Sequence, residues 1–333
     1  MAHDDKTDRM MVESLEWWGV PTLFRAPLAT DPSEADIALI GVPHSSGNNT
    51  TLRDQHLGPR AVRDISANAR RYHNGLGIMA WEAARVRDLG DVPLPEPADN
   101  ERSIERISDF YRKVVSAGAR PVSIGGDHGI TGGIVQAIAG EGSPLGEKAA
   151  LLHFDAHTDT YDELDHWLGA RKSAANWASY LVTQGNVDAA KSVQIGMRGH
   201  PRSPGWLDRS FELGYDMITM DRYRKEGAAK VIETILERVG DTPLYITFDL
   251  DCLDATVAPG VSNLEAGSVG WTVDEVTEIL RAMQGRNVLG GDVVCLMPTR
   301  DLPNKVTAMV AAAIMHDMVA LIADGHVKRQ QNG

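Results

Sequence analysis

The chain has 333 residues, of which 43% are hydrophobic, enough to bury a substantial core. Its 33 basic and 46 acidic residues give a net charge of −13, which argues against a nucleic-acid or anionic-membrane partner. The two cysteines, Cys252 and Cys295, are too few for a disulfide framework and predict a reducing, cytoplasmic setting.

The N-terminal stretch MAHDDKTDRMMVESLEWW is polar and acidic, with neither the apolar core of a signal peptide nor an Arg-rich transit composition. Residues 1–35 are expected to form an extension that packs on the domain or on a neighbouring subunit. From there, apolar runs of strand length alternate with segments of helical period. A strand at Ile37–Val42 is followed by a helix at Pro59–Ala67, where Pro59 suits a helix start. The acidic, Pro-containing Leu94–Asn100 is a loop before a helix at Glu101–Ala117 and a strand at Pro121–Ile124. A Gly-rich turn, Gly125–Gly129, leads into a helix at Thr131–Ala139, and Glu141–Glu147 is a second loop. The strand Ala149–Phe154 is followed by a helix at Lys172–Val182, and the strand Ser192–Ile195 by a helix at Ala228–Val239. The strand Pro243–Phe248 then precedes a helix at Thr272–Met283, N-capped by Thr272 with Glu275 three residues on. A strand at Val288–Val294 and a helix at Lys305–Ala323 complete the series. The Val306–Ala323 stretch is apolar, but His316 and Asp317 interrupt it, so it is expected as a buried helix and not as a membrane span of about 20 residues.

Near-continuous Val/Ile/Leu strands joined by helices predict a mostly parallel sheet covered on both faces, an α/β/α sandwich. No repeat or low-complexity tract is present, and neither acidic loop is long enough for a linker, so residues 1–333 are expected to form a single domain. In such sheets ligands bind beyond the carboxyl ends of the strands. Three predicted strand ends carry chemistry there. His128 follows the strand ending at Ile124. Asp155, His157 and Asp159 follow the strand ending at Phe154, and Asp249 and Asp251 follow the one ending at Phe248. Residues two apart on an extended backbone point the same way, so each group can converge. Four carboxylates and two imidazoles at the end of an apolar sheet would be badly desolvated without cations among them. This nitrogen and oxygen set, without sulfur, suits Mn²⁺, Ni²⁺, Co²⁺ or Zn²⁺ better than Ca²⁺. A pair of divalent ions can hold a hydroxide and use it as a nucleophile at neutral pH, which implies hydrolysis. A lone Asp-x-Asp is usually a turn, and the Gly125–Gly129 turn lacks the spacing of a phosphate loop. Three such strand ends in one sheet are harder to attribute to structure alone. His153 belongs to the apolar strand itself and is assigned to the core.

The segments GGDHGIT (125–131), FDAHTDTY (154–161) and TFDLDCLDATVAPG (247–260) resemble the three signature stretches of the ureohydrolases, the arginase and agmatinase family. Gly19-Val20-Pro21-Thr22 with Arg25, IGVP (40–43), LGPRAVR (57–63), SVQIGMRG (192–199) and GGDVV (290–294) also resemble agmatinase segments, so the likeness covers most of the chain. It implies an arginase-like three-layer fold and two divalent ions per subunit, Mn²⁺ or Ni²⁺. His128, Asp155, Asp159 and Asp249 would hold one ion and Asp155, His157, Asp249 and Asp251 the other, with Asp155 and Asp249 bridging. It also implies attack of hydroxide on a guanidinium-type carbon, followed by loss of an amine and release of urea or a urea derivative. His166 matches the family's loop histidine that protonates the departing amine, and a near-neutral pKa suits that duty. Asp159 is placed beside it in the catalytic set. A trimer or hexamer is implied, either of this chain alone or with a paralogue.

Three departures bear on substrate. Trp167 and Leu168 follow His166 where the family has Gly and Thr, and Trp167 would add an apolar wall. Cys295 stands where the family has a glutamate that grips the guanidinium, which removes a bidentate, charge-assisted partner. The loop PHSSGNNTTLRD (43–54) lacks the Phe-Asp element of agmatinases. Glu265 is the candidate replacement acid. Together these predict a small cationic guanidino-type substrate other than arginine or agmatine, such as an N-alkylated guanidine or the biguanide metformin. The alternatives are an agmatinase or guanidinobutyrase type, or a metal-binding subunit that supports a catalytic paralogue.

Overall fold

The computed structural model describes residues 19–48, 53–161, 171–201, 203–265, 267 and 269–332. Its strands are β1 Ile37–Val42, β2 Tyr72–His73, β3 Ile78–Met79, β4 Val86–Asp91, β5 Arg120–Gly125, β6 Ala150–Phe154, β7 Val193–Ile195, β8 Asp216–Ile218, β9 Leu244–Asp249 and β10 Val288–Val294. Its α-helices are α1 Gly58–Ser66, α2 Ala80–Ala83, α3 Asn100–Ser116, α4 Gly129–Ile138, α5 Trp177–Thr183, α6 Asp208–Leu213, α7 Met220–Glu226, α8 Ala228–Val239, α9 Val273–Arg281 and α10 Val306–Asn332.

Eight strands form one sheet in the order β4-β1-β5-β10-β9-β6-β7-β8, while β2 and β3 pair separately as an antiparallel hairpin. Every neighbouring pair in the large sheet is parallel. Alternate side chains of its strands go to opposite faces. Ile37, Leu39, Val122, Leu152 and Ile246 join a core with α1, α8, α9 and α10. Ala38, Ile40, Leu151 and Tyr245 join a second core with α3, α4 and α5. The result is the three-layer α/β/α sandwich expected, with two strands added at its edges.

Those edge strands explain themselves. β4 reads VRDLGD, with two aspartates and an arginine, and shows no apolar run. It is stabilised by a distant pair instead. Asp88 is fully buried and accepts from Arg63 Nε at 3.0 Å and Nη2 at 3.1 Å, and from the Leu23 amide at 2.8 Å. The segment before β1 covers this edge, with Leu28 bridging to Asp88 in parallel fashion and Leu23 and Phe24 buried in the core. Edge coverage of this kind blocks pairing with other chains. β8 has only three residues.

Two helices differ from expectation in extent. The predicted Lys172–Val182 helix begins only at Trp177, because Asn176 Oδ1 accepts from the Ser173 amide at 2.9 Å and holds a turn instead. α10 continues to Asn332; it is long and apolar enough to cross a membrane, yet 78% of its apolar window is buried, chiefly by β10 and α1. Thr272 caps α9 with a reciprocal Glu275 capping box, as its spacing predicts.

His316 on α10 lies among Phe24, Trp81 and His73, with its ring centroid 5.0 Å from that of His73. Burial, reinforced by His73, lowers its pKa from 6.5 to about 4. The unfolded chain therefore binds one more proton between these values. Stability is full above pH 6.5 and falls as the pH drops toward 4. Acidification from pH 7 to 5 should cost about 2 kcal/mol through this group. Urea unfolding at the two pH values, compared between the parent and His316→Phe, checks this: the variant should lose that part of the slope.

Candidate metal centre

Four adjacent strands, β5, β10, β9 and β6, end at one cleft. β5 delivers His128 at the start of α4, and β6 leads into Asp155, His157 and Asp159. Asp249 closes β9, with Asp251 in the turn that follows, and Cys295 follows β10. The backbone is tight at these crossings. A Cβ on Gly126 would collide with the His44 carbonyl oxygen. Cys295 sits at φ 68°, a left-handed conformation rare for a residue with a side chain, and its amide donates to the Gly126 carbonyl at 2.8 Å.

The six expected groups meet. His128 Nδ1 lies 2.9 Å from Asp155 Oδ2, 3.0 Å from Asp159 Oδ2 and 3.2 Å from Asp249 Oδ2. His157 Nδ1 lies 3.2 Å from Asp155 Oδ1 and 3.3 Å from Asp251 Oδ2. Asp155 thus presents one oxygen to each histidine. Asp249 turns one oxygen to His128, while its other accepts from the Asp251 amide at 2.9 Å.

Tautomers sharpen the picture. The Thr247 hydroxyl donates to Asp292 at 2.7 Å, so at 2.9 Å it accepts from His128 Nε2–H. That leaves the lone pair of His128 Nδ1 aimed at three carboxylate oxygens. Among the described residues this nitrogen and Asp251 Oδ2 are buried without a well-aligned hydrogen bond, their nearest neighbours being the cluster's own donors at 2.9 and 3.3 Å. In such a place a buried polar atom is costly unless a cation, a proton or a metal, lies between the donors. The charges respond accordingly. Burial opposes ionisation throughout, yet the neighbouring carboxylates hold His128 and His157 well above the ordinary imidazole value. Burial, together with Asp155 for Asp159 and Asp249 for Asp251, raises those two carboxyls. Burial is overcome at Asp155, which His128, His153 and His157 hold well below the usual range. A metal-free cluster of this kind keeps protons that a divalent ion would replace. The donor set, three carboxylate oxygens about one imidazole nitrogen and two about another, fits a pair of such ions.

Residues around the cluster fix its geometry, and sequence reasoning missed several of them. His153 Nε2 lies 2.9 Å from Asp155 Oδ2 and its Nδ1 is 2.8 Å from Gln194 Nε2. It is a satisfied, fully buried histidine that also orients Asp155 and stands close enough to join the His128 group. The signal was present, since His153 has the same strand parity as Asp155. Trp177 Nε1 donates to Asp159 Oδ2 at 2.7 Å, and Asp292 collects Thr131, Tyr245 and Thr247 behind His128. Arg198 donates to the carbonyls of Cys252 and Leu253 at 3.0 Å, bracing the turn that carries Asp251. Nothing local in the sequence announces these long-range partners.

A cavity of about 460 Å³ opens on the cluster, lined also by Tyr161, Arg198, His200, Trp206, Glu265 and Cys295. Burial, together with the neighbouring Asp249 and Asp251, raises the Cys295 thiol, so that it stands as a neutral wall. Glu265 Oε1 is 2.8 Å from His157 Nε2. Of the ten residues expected at the site, eight are together here; His166 and Trp167 lie outside the described residues.

The arginase family profile matches residues 35–320. Guanidinopropionase of Pseudomonas aeruginosa is 35% identical over 330 residues, covering 97% of this chain and 98% of the relative. The mitochondrial guanidino acid hydrolase of Homo sapiens is 33% identical over 304 residues, covering 91% and 83%. Among solved structures, the proclavaminate amidino hydrolase of Streptomyces clavuligerus superposes with a TM-score of 0.85 at 28% identity, covering 94% of this chain and all of that one.

Proposed function

The chain belongs to the arginase family and is a hydrolase of amidino C–N bonds, and from that premise we propose that it uses two divalent cations, Mn²⁺ or Ni²⁺, to cleave a compact guanidino or biguanide cation other than arginine or agmatine. His128, Asp155, Asp159 and Asp249 would hold one ion, and Asp155, His157, Asp249 and Asp251 the other. Bound there, the pair supplies Lewis acidity and brings the pKa of a water near neutrality. The surrounding carboxylates attract a cationic substrate and orient its planar carbon. Trp177 holds Asp159 on the cleft side of α5. His166 delivers a proton to the departing amine, and the products are that amine with urea or a urea derivative.

The observation that carries the substrate reading is the neutral Cys295 wall beside Asp249 and Asp251 in the pocket. Without a carboxylate at that wall, a mono-substituted guanidinium loses its paired acceptor, while Trp206 in the lining favours an alkylated one. Glu265 supplies the remaining charge beside the cleft. A second reading rests on Arg198 and His200, which line the same pocket, and on relatives named for guanidino acids: a carboxylate tail would meet these two groups. Turnover of metformin, guanidine, guanidinopropionate, guanidinobutyrate and agmatine by Mn²⁺- and Ni²⁺-loaded protein separates the readings. Robust agmatine hydrolysis would defeat the first.

Cys295→Glu should raise kcat/KM for agmatine roughly 10- to 100-fold over the parent, since hydrogen bonds to charged groups contribute about 1.5–3 kcal/mol. The assembly proposed is a trimer or hexamer in the cytoplasm. Light scattering of the pure chain, assayed alone and with a paralogue, tells a self-sufficient enzyme from a supporting subunit.

A further inference from the structure

We propose that Glu265 is a positioning residue for His157, holding its imidazole as the Nε2–H tautomer so that Nδ1 is presented to Asp155 and Asp251. Oε1 of Glu265 accepts from His157 Nε2 at 2.8 Å, and Nδ1 then lies 3.2 Å from Asp155 Oδ1 and 3.3 Å from Asp251 Oδ2. A histidine between carboxylates can flip or exchange tautomers unless its far nitrogen is committed, and a carboxylate at that nitrogen also makes the near one a better donor. His128 has the equivalent arrangement one residue removed, with Thr247 relaying to Asp292. For His157 the partner is an acid from a loop 108 residues later.

The fold makes room for that loop acid. A Cβ at residue 199 would collide with Glu265 Oε2 as it now stands, so Gly199 leaves the carboxylate this position; at φ 94° residue 199 also suits glycine. The cavity wall on this side is thus a seat for the Glu265 carboxylate. The role complements its place beside the substrate and predicts a different signature, because a residue that only contacts substrate changes KM and leaves cation binding alone.

The inference rests on the two-cation reading, and the experiment tells their failures apart. Calorimetric titration of the metal-free full chain with Mn²⁺ should show two bound ions for the parent. Glu265→Ala should weaken one of them about 10- to 100-fold, as loss of a ligand's orienting partner does, and leave the other within twofold. Glu265→Gln should fall between, because its amide oxygen still accepts from Nε2–H. In Co²⁺-loaded protein the visible bands of one site alone should shift. Two ions bound by Glu265→Ala with parental affinity, with or without a change in KM, would overturn the positioning role. Fewer than two ions in the parent would instead overturn the two-cation reading and the inference with it.

Discussion

Asp155→Asn should abolish hydrolysis, lowering kcat by roughly 10³-fold or more, because charge stabilisation by a bound cation contributes several kcal/mol to the transition state. Asp155 is the residue for this test because its two oxygens serve both halves of the cluster, Oδ2 beside His128 and Oδ1 beside His157. An amide of the same shape keeps one acceptor but removes the charge and turns an N–H toward an imidazole. Metal analysis of the variant should find fewer than two ions per chain, and circular dichroism should match the parent, because Asn has the shape of Asp and can still accept from the His157 amide. Retention of a tenth of the parental kcat with both ions bound would contradict the proposed centre. Asp159→Asn provides a graded comparison: Asp159 lies beside His128 and in the group without His157, so its loss should disturb one ion and spare the His157 group.

Much of this was visible in the chain, for a definite reason. Interior parallel strands are apolar on both faces, so β1, β5, β6, β7, β9 and β10 stand out as runs of Val, Ile and Leu. The ligand candidates stand out because polar groups at alternate positions interrupt such runs where a strand ends. Edge strands lack that contrast. β4 is held by Asp88 and Arg63, 25 residues apart, and no window of sequence displays such a pair. The same limit hid the residues around the cluster. Trp177, Gln194, Thr247 and Asp292 look like ordinary helix or strand residues until the fold brings them to Asp159, His153 and His128, and Glu265, legible as an acid near the site, showed no sign of its contact with His157. Cys295 was legible as a departure from the family pattern, but its left-handed backbone and its place beside Asp249 were not.

Asp88→Ala should be the most destabilising single change away from the cleft, at about 3–5 kcal/mol, the usual cost of removing one partner from a buried ion pair. Asp88 is fully buried, and its loss strands the Arg63 guanidinium, whose side chain is 13% exposed, and the amides of Leu23 and Gly90. Among the described residues Arg63 would keep Asp91 as its acid, at 2.5 Å and near the surface. Set against a typical net stability of about 5–15 kcal/mol, the change should move the urea midpoint sharply downward and open the sheet edge that residues 19–35 cover. Proteolysis should then cut within that segment before any other described region. Replacing the pair together, Asp88→Leu with Arg63→Met, should recover part of the loss, because an apolar pair leaves no buried charge without its partner. A loss below about 1 kcal/mol in Asp88→Ala would mean that the edge is held by Leu23 and Phe24 packing alone.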